Sequence, residues 1–155
     1  MSNSKKDYQD LMKEERSLVF ESFSHENAFS IGVALKENAV KYDDPIAVEI
    51  TMNSLIIFRY FSEGAVLDSD LWLERKKNTV NLMNMSSLRF MKWLEIRNET
   101  LNDRKLNPND YAAGGGGFPI RINNTGVIGS ICVSGLSNHL DDHQLIIDTL
   151  TEYLD

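Results

Sequence analysis

The chain has 155 residues, 42% of them hydrophobic and 25% charged, with a formal net charge of −7. The acidic balance disfavours nucleic acid and anionic membrane surfaces as partners, and no apolar run is long enough for a transmembrane helix. One cysteine, Cys132, excludes an internal disulfide, and without a secretory signal we expect a reducing, cytoplasmic location.

We expect residues 1–17 to form a polar N-terminal tail and a helix, followed by a single α+β domain at residues 18–155. The helix is indicated by apolar residues at helical spacing, namely Tyr8, Leu11 and Met12. Across residues 18–23 the period changes to two, which predicts a short extended segment.

A second helix is expected to begin after Ser24, whose hydroxyl can accept a hydrogen bond from a first-turn N–H group. Its apolar residues recur at steps of three and four and predict one buried stripe. The stripe consists of Ala28, Ile31, Gly32, Leu35 and Ala39. The turn residues Asp43, Asp44 and Pro45 follow it.

Two runs rich in β-branched and aromatic residues come next, residues 46–52 and 55–61. The polar pair Asn53-Ser54 separates them, which predicts a two-residue hairpin. Further helices are expected to begin at Asp68-Ser69 and at Ser86-Ser87, and residues 98–109 are expected to form a surface loop.

The glycine-rich segment 111–135 leads into a second hairpin, which pairs residues 118–122 with residues 127–133. Ser137 or Asn138 is expected to cap a C-terminal helix. Two hairpins and several helices predict an α+β fold, in which one antiparallel β-sheet from two hairpins is covered by α-helices.

Four consecutive glycines, Gly114, Gly115, Gly116 and Gly117, are the first candidate for a site. Successive backbone N–H groups could form a nest for a carboxylate or phosphate. Neither a P-loop nor a Rossmann turn is present, because Phe118-Pro119 opens a strand rather than a helix. The alternative is a tight entry into the sheet, with closely packed backbones.

His139 and His143 are four residues apart, which is a metal-ligand spacing on a helix. A zinc site needs further ligands that the neighbouring sequence lacks, so we predict no metal site. Otherwise the two histidines and Asp141-Asp142 form a polar first turn, where the helix dipole favours carboxylates.

Arg75 lies in the one basic cluster, Arg75-Lys76-Lys77, and shares a helical face with Leu71 and Leu82. It could point inward at an anion or belong to a solvated helix side. Cys132 is expected to be a small buried residue rather than a nucleophile. Ser134 lacks a nucleophile-elbow motif, so a hydrolase is poorly supported.

Several short motifs together carry a resemblance to a known family. They are residues 47–51, residues 68–72 with 75–78, residues 111–113 with the glycine run and 118–120, and residues 133–136 with Asp142-His143. From about Phe20 to the C-terminus the chain resembles an uncharacterised cytosolic branch, bacterial and fungal, of the haem-degrading-domain superfamily. That superfamily includes the glycolate-utilisation accessory protein and a secreted haem-binding protein.

The resemblance implies an antiparallel sheet covered by helices, with profilin-like layering, and assembly into homo-oligomers. It implies no settled reaction and leaves the cofactor unknown, although superfamily relatives have been linked to haem binding and breakdown. Where relatives often carry Phe-Gly-His-Ser-Ser, this chain has Met85 in place of the histidine. Where relatives carry a histidine ahead of paired glycines, it has Gly114. Two histidines of a shared polar site are therefore absent.

We expect a non-enzymatic homo-oligomeric module that binds a small anion. The expected ligand-binding residues are Arg75, Gly114, Gly115, Gly116, Gly117, Asp142 and His143. One alternative is a haem-binding or haem-degrading protein, for which His25, His139 and His143 are the available imidazoles. The other is a structural or protein-interaction subunit, with an exposed apolar helix face around Trp93.

Overall fold

The computed structural model describes residues 6–155, so most of the expected polar tail lies outside the described residues. The helices are α1 (Tyr8–Ser17), α2 (His25–Asn38), α3 (Leu67–Met83), α4 (Ser87–Arg97) and α5 (His139–Leu154), and a short 3-10 turn at Ala39–Lys41 follows α2. The strands are β1 (Ala47–Met52), β2 (Leu55–Phe61), β3 (Gly117–Ile122) and β4 (Gly126–Ser134).

All four strands belong to one antiparallel sheet with the order β2-β1-β4-β3. The two predicted hairpins therefore meet at β1 and β4, where Ala47 lies opposite Ser134 and Met52 opposite Gly129. Asn53 and Ser54 join β1 to β2 with positive φ angles of 51° and 71°, as a type I′ turn requires. The predicted α+β fold is confirmed.

The two faces of the sheet differ because side chains alternate along each strand. On one face lie Val48, Ile50, Ile131 and Val133, which are fully buried in the main core with residues of α2 and α5. The opposite face carries smaller and polar side chains, among them Ala47, Thr51, Ser130 and Cys132. Helix α3 packs on this second face, where Leu73 contacts Ala47 and Cys132.

Most of the predicted helix starts are confirmed. Ser24 caps α2 by accepting from the Asn27 N–H at 3.1 Å, Ser86 caps α4, and Asn138 caps α5. The predicted apolar stripe of α2 is buried along its length. Helix α3 is the exception, because it begins after Val66 without a side-chain cap, and Asp68 and Ser69 lie within its first turn.

The predicted extended segment at residues 18–23 makes one isolated parallel bridge, between Phe20 and Ile122. The Phe20 N–H donates to the carbonyl of Arg121, and the Asn123 N–H donates to the carbonyl of Phe20, both at 2.8 Å. The segment thus satisfies backbone groups on the outer side of β3.

Helix α1 is attached to the rest of the fold by Glu15, which is 2% exposed. Its carboxylate accepts from the Ser86 N–H at 3.0 Å and from the Arg89 guanidinium at 3.1 Å. Leu11, one turn earlier, is fully buried. Within residues 6–155, no helix combines the length and the apolar character that spanning a membrane requires.

Candidate functional site

A cavity of about 680 Å³ lies between α3, the loop before β3, and the junction of β4 with α5. Small-molecule sites have volumes of about 300–1,000 Å³, so it is large enough for a metabolite. One face of α3 contributes Ser69, Trp72 and Lys76. The second wall consists of residues 111–115 with Leu101 and Pro108, and the third of residues 134–137 with His139 and Asp142.

Lys76 is the cation of this cavity, although only 5% of the residue is exposed. Its Nζ donates to the Val133 carbonyl at 2.8 Å and to Oδ2 of Asp142 at 3.1 Å. A buried charge is tolerated when it is paired and hydrogen-bonded in this way. The ammonium group carries three protons, and the third has no acceptor among residues 6–155.

Asp142 holds Lys76 from the first turn of α5, and both of its carboxylate oxygens are engaged. Oδ1 accepts from the Leu136 N–H at 3.2 Å, and Oδ2 accepts from Lys76. Burial raises the pKa of Asp142 to about 6, although the positive charge of Lys76 opposes that shift. The Lys76–Asp142 pair is therefore formally neutral above this pH.

The glycine run joins the cavity to β3, and only its first half lines the cavity. Gly114 and Gly115 are lining residues, whereas Gly116 and Gly117 are buried and are absent from the described lining. The Gly115 N–H donates to Nδ1 of His139 at 2.8 Å, and the Gly117 N–H donates to Oγ of Ser87 at 2.9 Å. Two of the four amides are thus occupied by protein acceptors.

His139 and His143 have separate partners. His139 lines the cavity, and partial burial, followed by the charge of Lys76, lowers its pKa. His143 is fully buried, with Nε2 2.6 Å from Oε1 of Glu14, and its Nδ1 has no hydrogen-bond partner within residues 6–155. The described chain holds no group of three His, Cys, Asp or Glu side chains suited to a metal ion.

Glu14 connects α1 to α5 through its contact with His143. Burial acts to raise the pKa of Glu14, but the hydrogen bonds and charges of His143 and Lys6 outweigh burial and hold this pKa below its usual value. Lys6 makes an ion pair with Glu14 and also donates to Gln144 at 2.9 Å. The structure therefore places His143 in a contact between helices rather than on the cavity wall described above.

Arg75 lies beside the cavity without lining it. Its guanidinium carbon is 4.5 Å from the centroid of the Trp72 ring, and its Nε donates to the carbonyl of Asn109 at 3.1 Å. On the same helix Asn78 donates to the Asp110 carbonyl and Thr79 donates to the Ala112 carbonyl, both at 2.8 Å. These bonds hold residues 109–112 against α3, so Arg75 positions a wall of the cavity.

Sequence reasoning did not select Lys76, Ser69, Ser134 or Trp72 as ligand-binding residues. Ser69, Trp72 and Lys76 are separated by three and four positions, and this helical spacing could have indicated that they share one face of α3. The spacing alone did not identify the cavity-facing side, because Arg75 lies on an equally regular stripe with Leu71 and Leu82. In the structure Leu71 and Leu82 are about half exposed, whereas Lys76 is buried.

The amino-acid sequence of this chain is similar to those of known proteins. A family model described as haem degrading protein HbpS-like matches residues 23–151. A UPF0303 protein of Serratia proteamaculans is 39% identical over 149 residues, which cover 96% of this chain and 92% of that protein. A UPF0303 protein of Psychromonas ingrahamii is 35% identical over 147 residues, covering 94% of this chain and 92% of that protein.

Solved structures with the same fold extend these similarities. The crystal structure of Ybr137w protein has a TM-score of 0.87 at 24% identity and covers 97% of this chain and 91% of its own. The crystal structure of HbpS has a TM-score of 0.68 at 22% identity, with 86% and 90% covered. A PduOC:Heme complex has a TM-score of 0.65 at 18% identity, with 83% and 94% covered. At these identities the likeness establishes the fold.

Proposed function

The chain belongs to the HbpS-like haem-degrading-protein family, as the sequence resemblance indicated, and we propose that it is a binding module for a small organic anion. The cavity between α3, the glycine run and α5 is the proposed site. The observation that carries the proposal is Lys76, a buried cation on the cavity wall with one proton left for a ligand. Of the residues expected from sequence, Asp142, Gly114 and Gly115 remain in the proposed site, where Asp142 holds Lys76 and the two glycines line the wall.

The cavity offers mainly hydrogen-bond donors to a ligand. His139 accepts from Gly115 at Nδ1, so its neutral imidazole carries the proton on Nε2. The hydroxyls of Ser69 and Ser134 can also donate, and the oxygens of Asp142 are already engaged. Donors that line the same partly open cavity favour a ligand with acceptor oxygens, such as a carboxylate.

Direct chemistry by the chain's thiol is disfavoured. Cys132 is fully buried beneath α3, and burial raises its pKa to about 12. The thiolate, which is the nucleophilic form, is therefore scarce at neutral pH. This supports binding rather than thiol-based catalysis as the role of the module.

The binding test is thermal unfolding with a panel of small anions, each at several concentrations. A ligand that binds only the native state raises the midpoint by an amount that grows with concentration. The double variant K76M/D142N removes the cation together with its buried partner, and its ligand-induced shift should vanish. K77M is the matched control, because Lys77 contacts Glu49 and Glu74 outside the cavity. No shift with any anion would refute the proposal.

Self-association is the second part of the proposal, and the open edge of β2 supports it. β2 is a terminal strand of the sheet, and no described residue pairs with its outer side. Its side chains Leu55 and Ile56 are 58% and 46% exposed. An apolar edge of this kind favours pairing with a second copy across a two-fold axis.

Haem is a candidate because of the family name, but the side chains at or near the cavity do not fit its axial ligation, and His25 is an exposed residue outside the cavity lining. Iron binds a ring nitrogen through a free lone pair. His139 uses the Nδ1 lone pair for Gly115, and His143 is sealed in the core beside Glu14. Met85 is buried and packs against Phe90. We therefore expect a mixture of hemin and protein to keep the visible spectrum of free hemin, and a shifted Soret band would contradict this expectation.

A further inference from the structure

We infer that the ligand of the cavity is a monocarboxylate carried on a flat apolar body, an inference that rests on the proposed anion site. Three features of the cavity lead to this class. They are the charge balance of Lys76 and Asp142, the hydroxyls of two lining serines, and an apolar wall that contains Trp72.

The charge balance disfavours ligands with several negative charges more strongly than it disfavours a monoanion. Lys76 is the one lysine or arginine that lines the described cavity, and Asp142 already neutralises it. Asp68 adds a further carboxylate to the lining. A phosphate dianion would bring two uncompensated charges into this partly buried space, and such burial is costly. A single carboxylate can instead share the ammonium group with Asp142.

Two serine hydroxyls on the cavity wall can supply the remaining hydrogen bonds to the ligand. Ser69 is 9% exposed and Ser134 is 3% exposed, and both line the cavity. Within residues 6–155 neither hydroxyl has a protein hydrogen-bond partner, and neither is among the fully buried unpartnered polar atoms, so both are open to a ligand in the cavity. Ser137 on the same lining instead donates its hydroxyl to Asp44 at 2.7 Å. A carboxylate, which can accept up to about four hydrogen bonds, suits two hydroxyls and one ammonium proton.

The rest of the lining is apolar and suits the body of the ligand. It includes Val66, Trp72, Leu101, Pro108 and Ala113. The guanidinium of Arg75 lies 4.5 Å from the centroid of the Trp72 ring, which is 39% exposed. An exposed indole ring on a cavity wall favours stacking or edge contacts with another flat ring.

The inference is tested by calorimetric titration of the full chain with four compounds: 2-naphthoate, acetate, 2-naphthylmethanol and inorganic phosphate. We expect 2-naphthoate to bind at least about tenfold more tightly than acetate and than the alcohol, because each lacks one of the two recognised features. Phosphate should show no binding. An alcohol that binds as tightly as the carboxylate would overturn the inference.

Substitutions in the cavity lining test whether 2-naphthoate binds there. S134A should weaken 2-naphthoate by about tenfold, since a hydrogen bond to a charged group is lost. S30A, on the exposed side of α2, is the matched control and should leave the affinity unchanged. W72A should reduce the preference for 2-naphthoate over acetate. Equal affinities of S134A and the unaltered chain would overturn the assignment of the carboxylate to this hydroxyl.

The outcomes separate this inference from the proposed function. Phosphate binding without 2-naphthoate binding, lost in K76M/D142N, would overturn the monocarboxylate class and leave the anion site standing. If none of the carboxylates or phosphate binds and no anion raises the thermal midpoint, the proposed function fails together with the inference.

Discussion

Two neighbouring residues, Arg75 and Lys76, have opposite environments because successive helical positions are about 100° apart. Arg75 stacks on Trp72 and holds the loop at Asn109, and Lys76 is enclosed beside Asp142. The cost of burying the ammonium is offset by the strand carbonyl of Val133 and by the carboxylate. Of these two neighbours, Lys76 is the residue whose side chain reaches the sheet, and it is therefore the cationic residue of the candidate site.

The titration of Asp142 gives a pH-dependent prediction. Because the pKa of Asp142 is raised to about 6, the folded protein binds a proton that the unfolded chain releases at lower pH. This contribution to stability is complete below the unfolded pKa and is lost as the pH rises through about 6. D142N cannot titrate, so the unaltered chain should lose on the order of 2–3 kcal/mol relative to D142N between pH 4 and pH 7.

Urea unfolding of both proteins at a series of pH values measures this difference. The exposed variant D43N serves as the control and should follow the unaltered chain. A difference that grows in favour of Asp142 as the pH rises would show that the attraction of Lys76 outweighs the cost of burial.

The glycine run acts as one element that lets three others approach closely. A side chain at Gly115 would come within 2.3 Å of the His139 carbonyl oxygen. At Gly116 the φ angle is +122°, and a Cβ atom would lie 2.4 Å from the Val133 carbonyl oxygen and 2.6 Å from Nζ of Lys76. The segment is therefore a tight entry into β3 beside the cavity, and glycine is needed for packing as well as for backbone conformation.

G116A should destabilise the protein by more than G126A. Both positions have positive φ, at +122° and +132°, but nothing lies within 4 Å of a Cβ atom at Gly126. The strained backbone costs about 1–3 kcal/mol at either site, and Gly116 adds a collision with β4 and Lys76. Urea unfolding of the two variants gives the comparison, and equal losses would show that the cavity wall adjusts without cost.

At the scale of the whole molecule, the two helical layers that cover the sheet pack against faces of different composition. The face of the sheet under α2 and α5 is apolar, and the face under α3 carries small and polar residues. The cavity lies at the end of β4 beside the first half of α3, with Ser134 as the β4 residue in its lining. The two outer strands also differ, because residues near Phe20 pair with β3 while the far side of β2 is open among the described residues. The expected apolar face around Trp93 is partly covered, since the guanidinium groups of Arg97 and Arg104 lie 4.9 Å and 4.6 Å from its ring.

Self-association is predicted to depend on β2. Light scattering should give a mass that is a multiple of the chain mass, and I56K should reduce it because a charge on an apolar strand edge opposes pairing. I96K is the matched control, since Ile96 is 68% exposed on α4, a different element. A monomeric unaltered chain, or an I56K variant with the full assembly mass, would contradict the prediction.

The order and type of the elements followed from local patterns in the chain. The stripe of α2, the hairpin at Asn53-Ser54 and the caps at Ser24 and Ser86 depend on residues within a few positions of one another. The spacing of apolar side chains and the residue preferences of turns are local properties, so these elements could be predicted from the sequence. The start of α3 at Leu67 could not be predicted in this way, because no side chain caps the helix.

Which residues line the cavity is decided by contacts between parts of the chain that are distant in sequence. Lys76 meets Asp142 across 66 positions, Gly115 meets His139 across 24, and His143 meets Glu14 across 129. A local pattern places residues on one face of a helix, but it does not set which other element that face meets. The neighbouring element is set only when the helices pack on the sheet. In this protein that packing buries Lys76 beside Asp142, and Arg75 instead binds the loop that forms one wall of the cavity.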